Sequence, residues 1–410
     1  MSRGRCSRLC ALGGLALLGC IPASAQEVMG NSAEEGAVHL VQTDWATLEL
    51  REPRKDLPCT VTPAKATLGF DLRMHAGYSV SLPLKELAGS EDLLTIIFRV
   101  TPASRKDEPV FFTQRIPVPF IEEDAKGETF LEGSFDLGEG KYTLDWLMRD
   151  RTERVCSAYW DVEAALSDRD KDVDMALGPG RVAASSNEPF QEEPPVARSQ
   201  GDPPLNVKVL VNFAPPNVNS AVLQPLDRNA LLSILRSISR EPKVGKFSIV
   251  AFNLQEQRVI FRQDDASRID FRALGEALDS LNLGTTDLRR LSQKNGEAQF
   301  LTSLVRRETE GESRPDALIF AGPKALLDQN VSSEDLRKIG PFVYPMFYMN
   351  YNLHPEVSPW RDAIGSIVKF FRGTEFTITR PRDMWMAVGE MISRISQSRT
   401  DRAARRAAVR

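Results

Sequence analysis

Histidine is scarce in this chain of 410 residues, which contains three: His39, His75 and His354. None of them has a second His, a Cys or a Glu at the spacing that metal sites use. His354 precedes Pro355, a pairing typical of loops. We therefore interpret all three as surface or turn histidines, and the sequence does not predict a histidine-based catalytic centre.

Motifs that carry phosphate or acyl-transfer chemistry are also missing. The chain has no Gly-x-Gly-x-x-Gly, no phosphate loop ending in Gly-Lys-Ser/Thr and no Gly-x-Ser-x-Gly. The stretch AGPKALL places Gly322 and Lys324 after an apolar run, but it lacks the remaining glycines and the hydroxyl. These absences favour a non-enzymatic protein that needs no cofactor. A secreted hydrolase with an unrecognised arrangement of residues is the alternative.

An excess of basic charge is absent as well. Lys and Arg together number 52 and Asp and Glu 56, which gives a formal net charge of −4. Binding to nucleic acid needs a basic face that neutralises phosphates. The composition therefore predicts no nucleic-acid partner.

The N-terminus has the pattern of a secretory signal peptide over residues 1–25. Arginines within the first eight residues precede an apolar run at 11–21 and a small-x-small site at 23–25. The apolar run is shorter than the ~20 residues of a membrane-spanning helix. We expect an exported protein, periplasmic or extracellular. The alternative is a lipoprotein anchored at Cys20, because LLGC at 17–20 resembles a lipoprotein signal.

Cysteine is also rare, and three of the five cysteines fall within the leader. The remaining pair, Cys59 and Cys156, is predicted to form a disulfide, because an exported protein meets an oxidising compartment. Two free buried thiols are the alternative interpretation.

Residues 27–165 are predicted to form an all-β sandwich. Eight short runs with strand character are separated by turn residues, and no helical pattern stands out. The hairpin EGKYTLDWLMRDRTERVCSAYWDVE resembles the last hairpin of an immunoglobulin-like domain. The runs lie at 45–50, 68–74, 78–82, 93–100, 110–118, 130–137, 142–150 and 157–164.

A boundary follows at 166–204. This segment contains six Pro and one aromatic residue, too little apolar surface to offset the entropy of ordering. We expect a disordered, Pro-rich linker, and a peptide ligand for another domain is the alternative.

From 205 to 396, apolar strands alternate with amphipathic helices. The alternation predicts an α/β fold with a doubly wound, mostly parallel sheet that follows the all-β sandwich. The order of elements, with an antiparallel hairpin at 247–262, resembles the von Willebrand factor A (VWA) domain, in the divergent form found in exported bacterial proteins. The stretches that carry the resemblance are FSIVAFNLQEQRVIF, LGTTDLRR, ALIFAG and IVKFFRGTEFTIT.

The VWA resemblance implies a cation site at the C-terminal edge of the sheet, built from an Asp-x-Ser-x-Ser loop, a Thr and a later Asp. Here the loop positions hold Asn212, Ala214 and Pro216, and the later FAGPK has no acid. One amide and the hydroxyl of Thr285 or Thr286 cannot neutralise a divalent cation. We therefore expect no metal at this position, with a displaced acid, Asp287 or Asp316, as the alternative.

The same edge is the predicted surface for a protein partner, because ligands of open α/β sheets approach the carboxyl ends of the strands. The stretch FVYPMFYMNYN contains more tyrosines than one buried strand needs, although core packing accounts for most of this run. The predicted edge consists of Asn212, Asn217, Thr285, Thr286, Lys324, Tyr348 and Tyr351.

The last segment, 397–410, is a basic tail with no apolar stripe. It is expected to be solvated or frayed, or to contact anionic lipid or envelope polymer peripherally. Taken together, the sequence predicts an exported, non-enzymatic protein for protein–protein binding or adhesion through a metal-less VWA-like domain. An envelope scaffold whose sandwich is the binding module is a further alternative.

Overall fold

The computed structural model describes most of the chain, with gaps. The described residues are 27–28, 40–89, 92–185, 189–199, 203–216, 223–279, 296–310, 314–325, 327, 331–353 and 362–408. Within these ranges no helix is both long enough and apolar enough to span a bilayer.

The first part of the chain contains nine strands and one α-helix among the described residues. The strands are β1 Glu27–Val28, β2 Thr60–Leu68, β3 Met74–Pro83, β4 Asp92–Pro102, β5 Val110–Val118, β6 Glu128–Leu137, β7 Gly140–Arg149, β8 Val155–Ala164 and β9 Val182–Ala184. The helix is α1 Gln42–Leu50, and a 3-10 turn occupies Leu84–Leu87.

The second part alternates strands and helices. Its strands are β10 Leu205–Asn212, β11 Val244–Asn253, β12 Arg258–Ala266, β13 Ala317–Gly322, β14 Met346–Tyr351 and β15 Thr374–Ile378. Its described helices are α2 Pro225–Arg240, α3 Phe271–Asp279, α4 Gly296–Glu310, α5 Ser333–Ile339, α6 Ala363–Phe370 and α7 Pro381–Ala408.

These later strands form one six-stranded sheet in the order β12-β11-β10-β13-β14-β15. All neighbours pair in parallel except β12, which is antiparallel to β11. Side chains of α2, α3 and α7 pack on one face, and those of α4, α5 and α6 pack on the other. The expected α/β arrangement with a mostly parallel sheet is thus confirmed.

The earlier strands form two antiparallel sheets, β1-β5-β4-β7-β8 and β2-β3-β6-β9. Apolar side chains from both sheets share one core. Tyr78 of β3 meets Trp146 of β7 edge to face, with ring centroids 5.5 Å apart. The strands expected at 93–100, 110–118, 130–137, 142–150 and 157–164 are confirmed.

Two of the expected strands are wrong. Residues 45–50 belong to α1, where Asp44 Oδ2 accepts a hydrogen bond from the backbone nitrogen of Val41 at the helix start. Residues 69–73 form a turn between β2 and β3, with Leu72 at φ 62°. Both stretches are short apolar runs, for which alternation alone does not separate strand from helix or turn. The region is therefore not composed of strands alone.

A disulfide joins Cys59 to Cys156, as expected, with their Cα atoms 6.2 Å apart. Cys59 precedes β2 and Cys156 lies in β8, so the bond links one sheet to the other. Because 97 positions separate the two residues, the cross-link restricts a long loop of the unfolded chain.

The segment expected to be a disordered linker has defined contacts where it is described. Its strand β9 pairs with β6, and Glu193 forms ion pairs with Arg236 and Arg240 of α2 at 2.9 and 2.7 Å. The Arg236 and Arg240 side chains are mostly buried. A count of apolar residues misses this kind of anchoring, because it omits charged pairs.

The basic tail is not frayed as far as Ala408. It continues α7, and Arg399 donates a hydrogen bond to the carbonyl oxygen of Pro203 at 2.7 Å. Arg402 pairs with Asp316 at 3.1 Å. These polar contacts hold the end of α7 in place, although it has no apolar stripe to pack against the protein.

Candidate functional site

The loop after β10 is closed by its own asparagine. Asn212 is 1% exposed, and its Oδ1 accepts hydrogen bonds from the backbone nitrogens of Ala214 at 3.1 Å and Leu254 at 3.3 Å. Gly322, at the end of β13, has φ 156°, and a Cβ there would lie 2.9 Å from the Cβ of Asn212. The amide is therefore a structural link rather than part of an exposed edge.

The two tyrosines of the predicted edge are buried. Tyr348 is fully buried, and its hydroxyl donates to the carbonyl oxygen of Pro323 at 2.9 Å. Tyr351 is 3% exposed, and burial together with the nearby Asp227 carboxylate raises its pKa. Neither ring is available for a partner at the rim. The prediction that Tyr348, Tyr351 and Asn212 form a binding edge is corrected by their burial.

Lys324 is the one predicted edge residue with partial exposure among those described. Its Nζ lies 4.0 Å from Oε1 of Glu375, and 28% of its side chain is exposed. Asn217, Thr285 and Thr286 lie outside the described residues, as do the alternative acid Asp287 and two histidines. Asp316, the other alternative acid, accepts hydrogen bonds from the backbone of Asn206 and from Arg402.

Beside Lys324 lies an oxygen-rich cluster that the sequence did not reveal: Asn350, Asp362 and Glu375. Asn350 is fully buried in β14, and its Nδ2 donates to Glu375 Oε1 at 2.7 Å and to Thr377 Oγ1 at 3.3 Å. Asp362 is the N-cap of α6, where its Oδ1 accepts from the backbone nitrogens of Ile364 and Ala325. We call these three residues the oxygen cluster.

The two carboxylates of the oxygen cluster share the space beside Gly365. A Cβ built on Gly365 would lie 2.9 Å from Asp362 Oδ2 and 3.2 Å from Glu375 Oε2. Burial raises the pKa of Asp362 to about 6, and the Glu375 charge adds to the shift although backbone hydrogen bonds oppose it. The sequence signal was an Asp directly before an amphipathic helix, which predicts a cap and nothing more.

A second candidate lies on the four-stranded sheet, where a cleft of about 740 Å³ is lined largely by small and hydroxyl-bearing residues. Among them, Thr62 and Ala64 lie on β2, Ser79 on β3 and Ser134 on β6. Lys65 and Glu132 contribute one charge of each sign. The cleft therefore offers short polar groups together with apolar surface.

His75 lines this cleft and is held between two carboxylates. Its Nδ1 lies 2.8 Å from Asp136 Oδ1, and its Nε2 lies 2.9 Å from Asp71 Oδ1. Hydrogen bonds to Asp136 and Asp71 raise the pKa of His75 to about 10, against the opposing effect of burial. At neutral pH the ring is an imidazolium, which has no lone pair for a proton or a metal ion.

The same three side chains have ligand atoms within 4.8 Å of one another, close enough to hold a metal ion. Asp136 is, however, already engaged by Arg73 at 3.0 Å and by the hydroxyl of Ser185 at 2.9 Å. A metal would have to displace both the histidine proton and these donors. The arrangement fits an ion-pair network better than a metal site.

The cleft runs beside a sheet edge. Within the described part of the chain, β2 is the end strand of its sheet and pairs with β3 on one side only. Most of its nine residues are exposed. An edge strand presents unpaired backbone N–H and C=O groups that another strand can use.

No family model matches the chain, and no curated protein matches it. Among solved structures, the chain is similar to one described as an ApaA protein from Bordetella pertussis, with 10% identity over 28% of this chain and 100% of that one, and a TM-score of 0.17. It is also similar to a glycosyl hydrolase family 2 member from Bacteroides cellulosilyticus and to a Bacteroides uniformis β-glucuronidase. Each is 10% identical over 77% of this chain, with TM-scores of 0.19 and 0.18. The chain spans 38% of the length of each hydrolase. At such TM-scores these similarities carry no argument about fold or function.

Proposed function

We propose that this chain is an exported, non-enzymatic protein that binds another protein through the open edge of β2 and the adjoining cleft. The occupant is an extended peptide segment of the partner. The C-terminal part serves as a VWA-like domain without the family's cation, preceded by an immunoglobulin-like sandwich. The observation that carries this proposal is the exposed edge strand beside a cleft lined largely by small and hydroxyl-bearing residues.

The geometry of β2 favours an extended peptide over a globular partner surface. A peptide strand can satisfy the edge's backbone groups, and alternate side chains of the added strand then enter neighbouring pockets. The cleft lies under the face formed by Thr62, Ser79 and Glu132, which are cross-strand neighbours in the register of β2, β3 and β6. The small lining residues leave room for the incoming side chains.

The VWA-like assignment is supported by the order of the six-stranded sheet and by its antiparallel hairpin β11–β12. The absence of a cation from the β10 loop is supported by Asn212, whose amide oxygen is already used by two backbone N–H groups. Export is supported by the disulfide, which fits an oxidising compartment.

Binding is preferred to hydrolysis because His75, the titratable ring in the cleft, is held as an imidazolium by two carboxylates. A general base at neutral pH needs an accessible lone pair. The other charged groups that line the cleft, Lys65 and Glu132, lie on different strands. The hydrolase alternative remains an outcome of the test below.

The test selects random twelve-residue peptides from a display library on the full-length protein. The enriched peptides are then measured by calorimetry. Ser79→Trp fills the cleft, whereas Ser81→Trp, two residues along the same face of β3, lies outside the lining and is the matched control. We expect enriched peptides to bind wild type and Ser81→Trp with similar Kd, and Ser79→Trp at least tenfold more weakly.

Circular dichroism confirms that both variants fold. Failure to enrich any peptide, or equal binding to the two variants, would overturn the proposal. Mass spectrometry of the peptide after incubation separates the alternatives, because an intact peptide supports binding and a cleaved one supports hydrolysis.

A further inference from the structure

The oxygen cluster is positioned by three separate elements on one face of the six-stranded sheet. Asn350 comes from β14, Glu375 from the neighbouring β15, and Asp362 from the start of α6. This is the face covered by α4, α5 and α6. The cluster is therefore assembled by the fold and is not a run of acids on an exposed loop.

Two oxygens of the cluster, Asn350 Oδ1 and Asp362 Oδ2, are buried and make no hydrogen bond of ordinary geometry to the described residues. The Tyr348 hydroxyl lies near the Asp362 carboxylate but donates its proton to the carbonyl oxygen of Pro323. The amide orientation of Asn350 is set by its acceptors, because Nδ2 must face Glu375 and Thr377 to donate. Leaving a buried acceptor unpaired is unfavourable, because the group has lost its hydrogen bonds to water and gained none in return. Two such acceptors in one cluster need a compensating group.

The negative charge of the oxygen cluster also favours a bound cation. The cluster contains two carboxylates that lie together beside Gly365. Among the described residues, the cation that pairs with the cluster is Lys324, whose Nζ lies 4.0 Å from Glu375 Oε1 and whose side chain is partly exposed. At this distance Lys324 does not donate a hydrogen bond to Glu375. A positive charge between the carboxylates would find oxygen ligands already present.

We propose that Asp362, Glu375 and Asn350 form a binding site for a hard divalent cation of the Mg²⁺ or Ca²⁺ class. All available protein ligands are oxygens, which these cations prefer over nitrogen or sulfur. Water would complete the coordination, as is usual for Mg²⁺ bound by one or two carboxylates. The site differs from the β10 loop, because none of its residues belongs to that loop.

The proposed site implies that Lys324 competes with the bound cation. Lys324 carries a charge of the same sign as the ion and lies beside Glu375. Removing that charge with Lys324→Met should strengthen cation binding, whereas Asp362→Asn and Glu375→Gln should weaken it. Asp335→Asn, at an exposed acid of α5 paired with Lys338, is the matched control.

The experiment titrates CaCl₂ and MgCl₂ separately into the full-length protein by calorimetry at pH 7.5, with Tm recorded at each concentration. We expect one ion per chain for wild type and Asp335→Asn, with Tm rising as the ion is added. Kd should rise at least tenfold in Asp362→Asn and Glu375→Gln, and fall in Lys324→Met.

No binding of either ion up to millimolar concentration would overturn the proposal. So would binding that survives both carboxylate substitutions, because the ion would then lie elsewhere. If a carboxylate variant does not fold, Lys324→Met decides, since unchanged affinity in that variant contradicts the site. Peptide binding at the β2 cleft is measured independently and does not depend on this result.

Discussion

Asn212 Oδ1 lies 3.3 Å from the backbone nitrogen of Leu254, and this hydrogen bond fastens the loop after β10 to the turn after β11. The same oxygen accepts from Ala214 at 3.1 Å. Both contacts are buried, so the amide takes the place that water or an ion would occupy in an open loop. The asparagine at this position therefore links two loops at the edge of the sheet.

Asn212→Ala should therefore destabilise the protein. Two buried N–H groups lose their acceptor, which should cost about 2–6 kcal/mol at about 1–3 kcal/mol each. Urea denaturation gives the loss as a shift in midpoint. Asn253→Ala is the control, because Asn253 Oδ1 accepts from one backbone nitrogen, that of Glu256. Equal losses in the two variants would contradict the double link.

His75 should make stability depend on pH in the alkaline range. Its pKa of about 10 in the folded state exceeds the ordinary 6.5, because Asp136 and Asp71 bond its ring and outweigh the opposing effect of burial. The stabilisation is fully present below pH 6.5 and is lost as pH rises through about 10. The relevant quantity is the difference in unfolding free energy between wild type and His75→Gln.

That difference should be about 1–2 kcal/mol at pH 6, discounted because one-third of the His75 side chain is exposed, and should shrink by pH 10. Chemical denaturation of both proteins at several pH values measures it. A difference that stays constant from pH 6 to pH 10 would show that His75 does not titrate with its carboxylates as the structure implies.

The sequence predicted the alternation of strands and helices after residue 205 well, because the longer helices there have periodic apolar residues. Helix α2, for example, runs for 16 residues and buries Leu231, Leu235 and Ile238 along one stripe. The sequence placed Tyr348 and Tyr351 at the binding edge, whereas both are buried, and the reason is physical. β14 is covered by helices on both faces, so all six of its residues are buried and alternation cannot divide core from rim.

The two candidate sites could not be found from local patterns. The cleft depends on the register that sets His75 opposite Asp136, 61 positions later. The oxygen cluster depends on β14 pairing with β15 and on the start of α6 lying beside them. These residues are far apart in the sequence. A single sequence gives their types but not the distances between them in the folded protein.

Loss of the disulfide should destabilise the protein strongly. The chain-entropy model gives about 4.7 kcal/mol for a closed loop near 100 residues, and Cys59 and Cys156 are 97 positions apart. Replacing both cysteines by Ala should lower the urea midpoint by a corresponding amount. Thiol titration of unfolded wild type checks that the pair is oxidised, and an unchanged midpoint in the double variant would contradict a stabilising role.

The buried ion network around Glu308 offers the sharpest test of how the six-stranded sheet is held to α4. Lys208 Nζ lies 3.1 Å from Glu308 Oε2, and Arg262 bonds both Glu308 oxygens. Burial alone would raise the pKa of Glu308, but hydrogen bonds from Arg262 and Lys208 outweigh it and lower the pKa. The carboxylate therefore remains charged inside the protein.

Glu308→Gln should cost about 3–5 kcal/mol, because it leaves Lys208 buried without a countercharge. The double variant Lys208→Met, Glu308→Gln should recover much of that loss, since the unpaired charge is removed together with its partner. Urea denaturation of the two single variants and the double variant completes a double-mutant cycle. Additive losses would contradict the coupling, because independent residues cannot rescue each other.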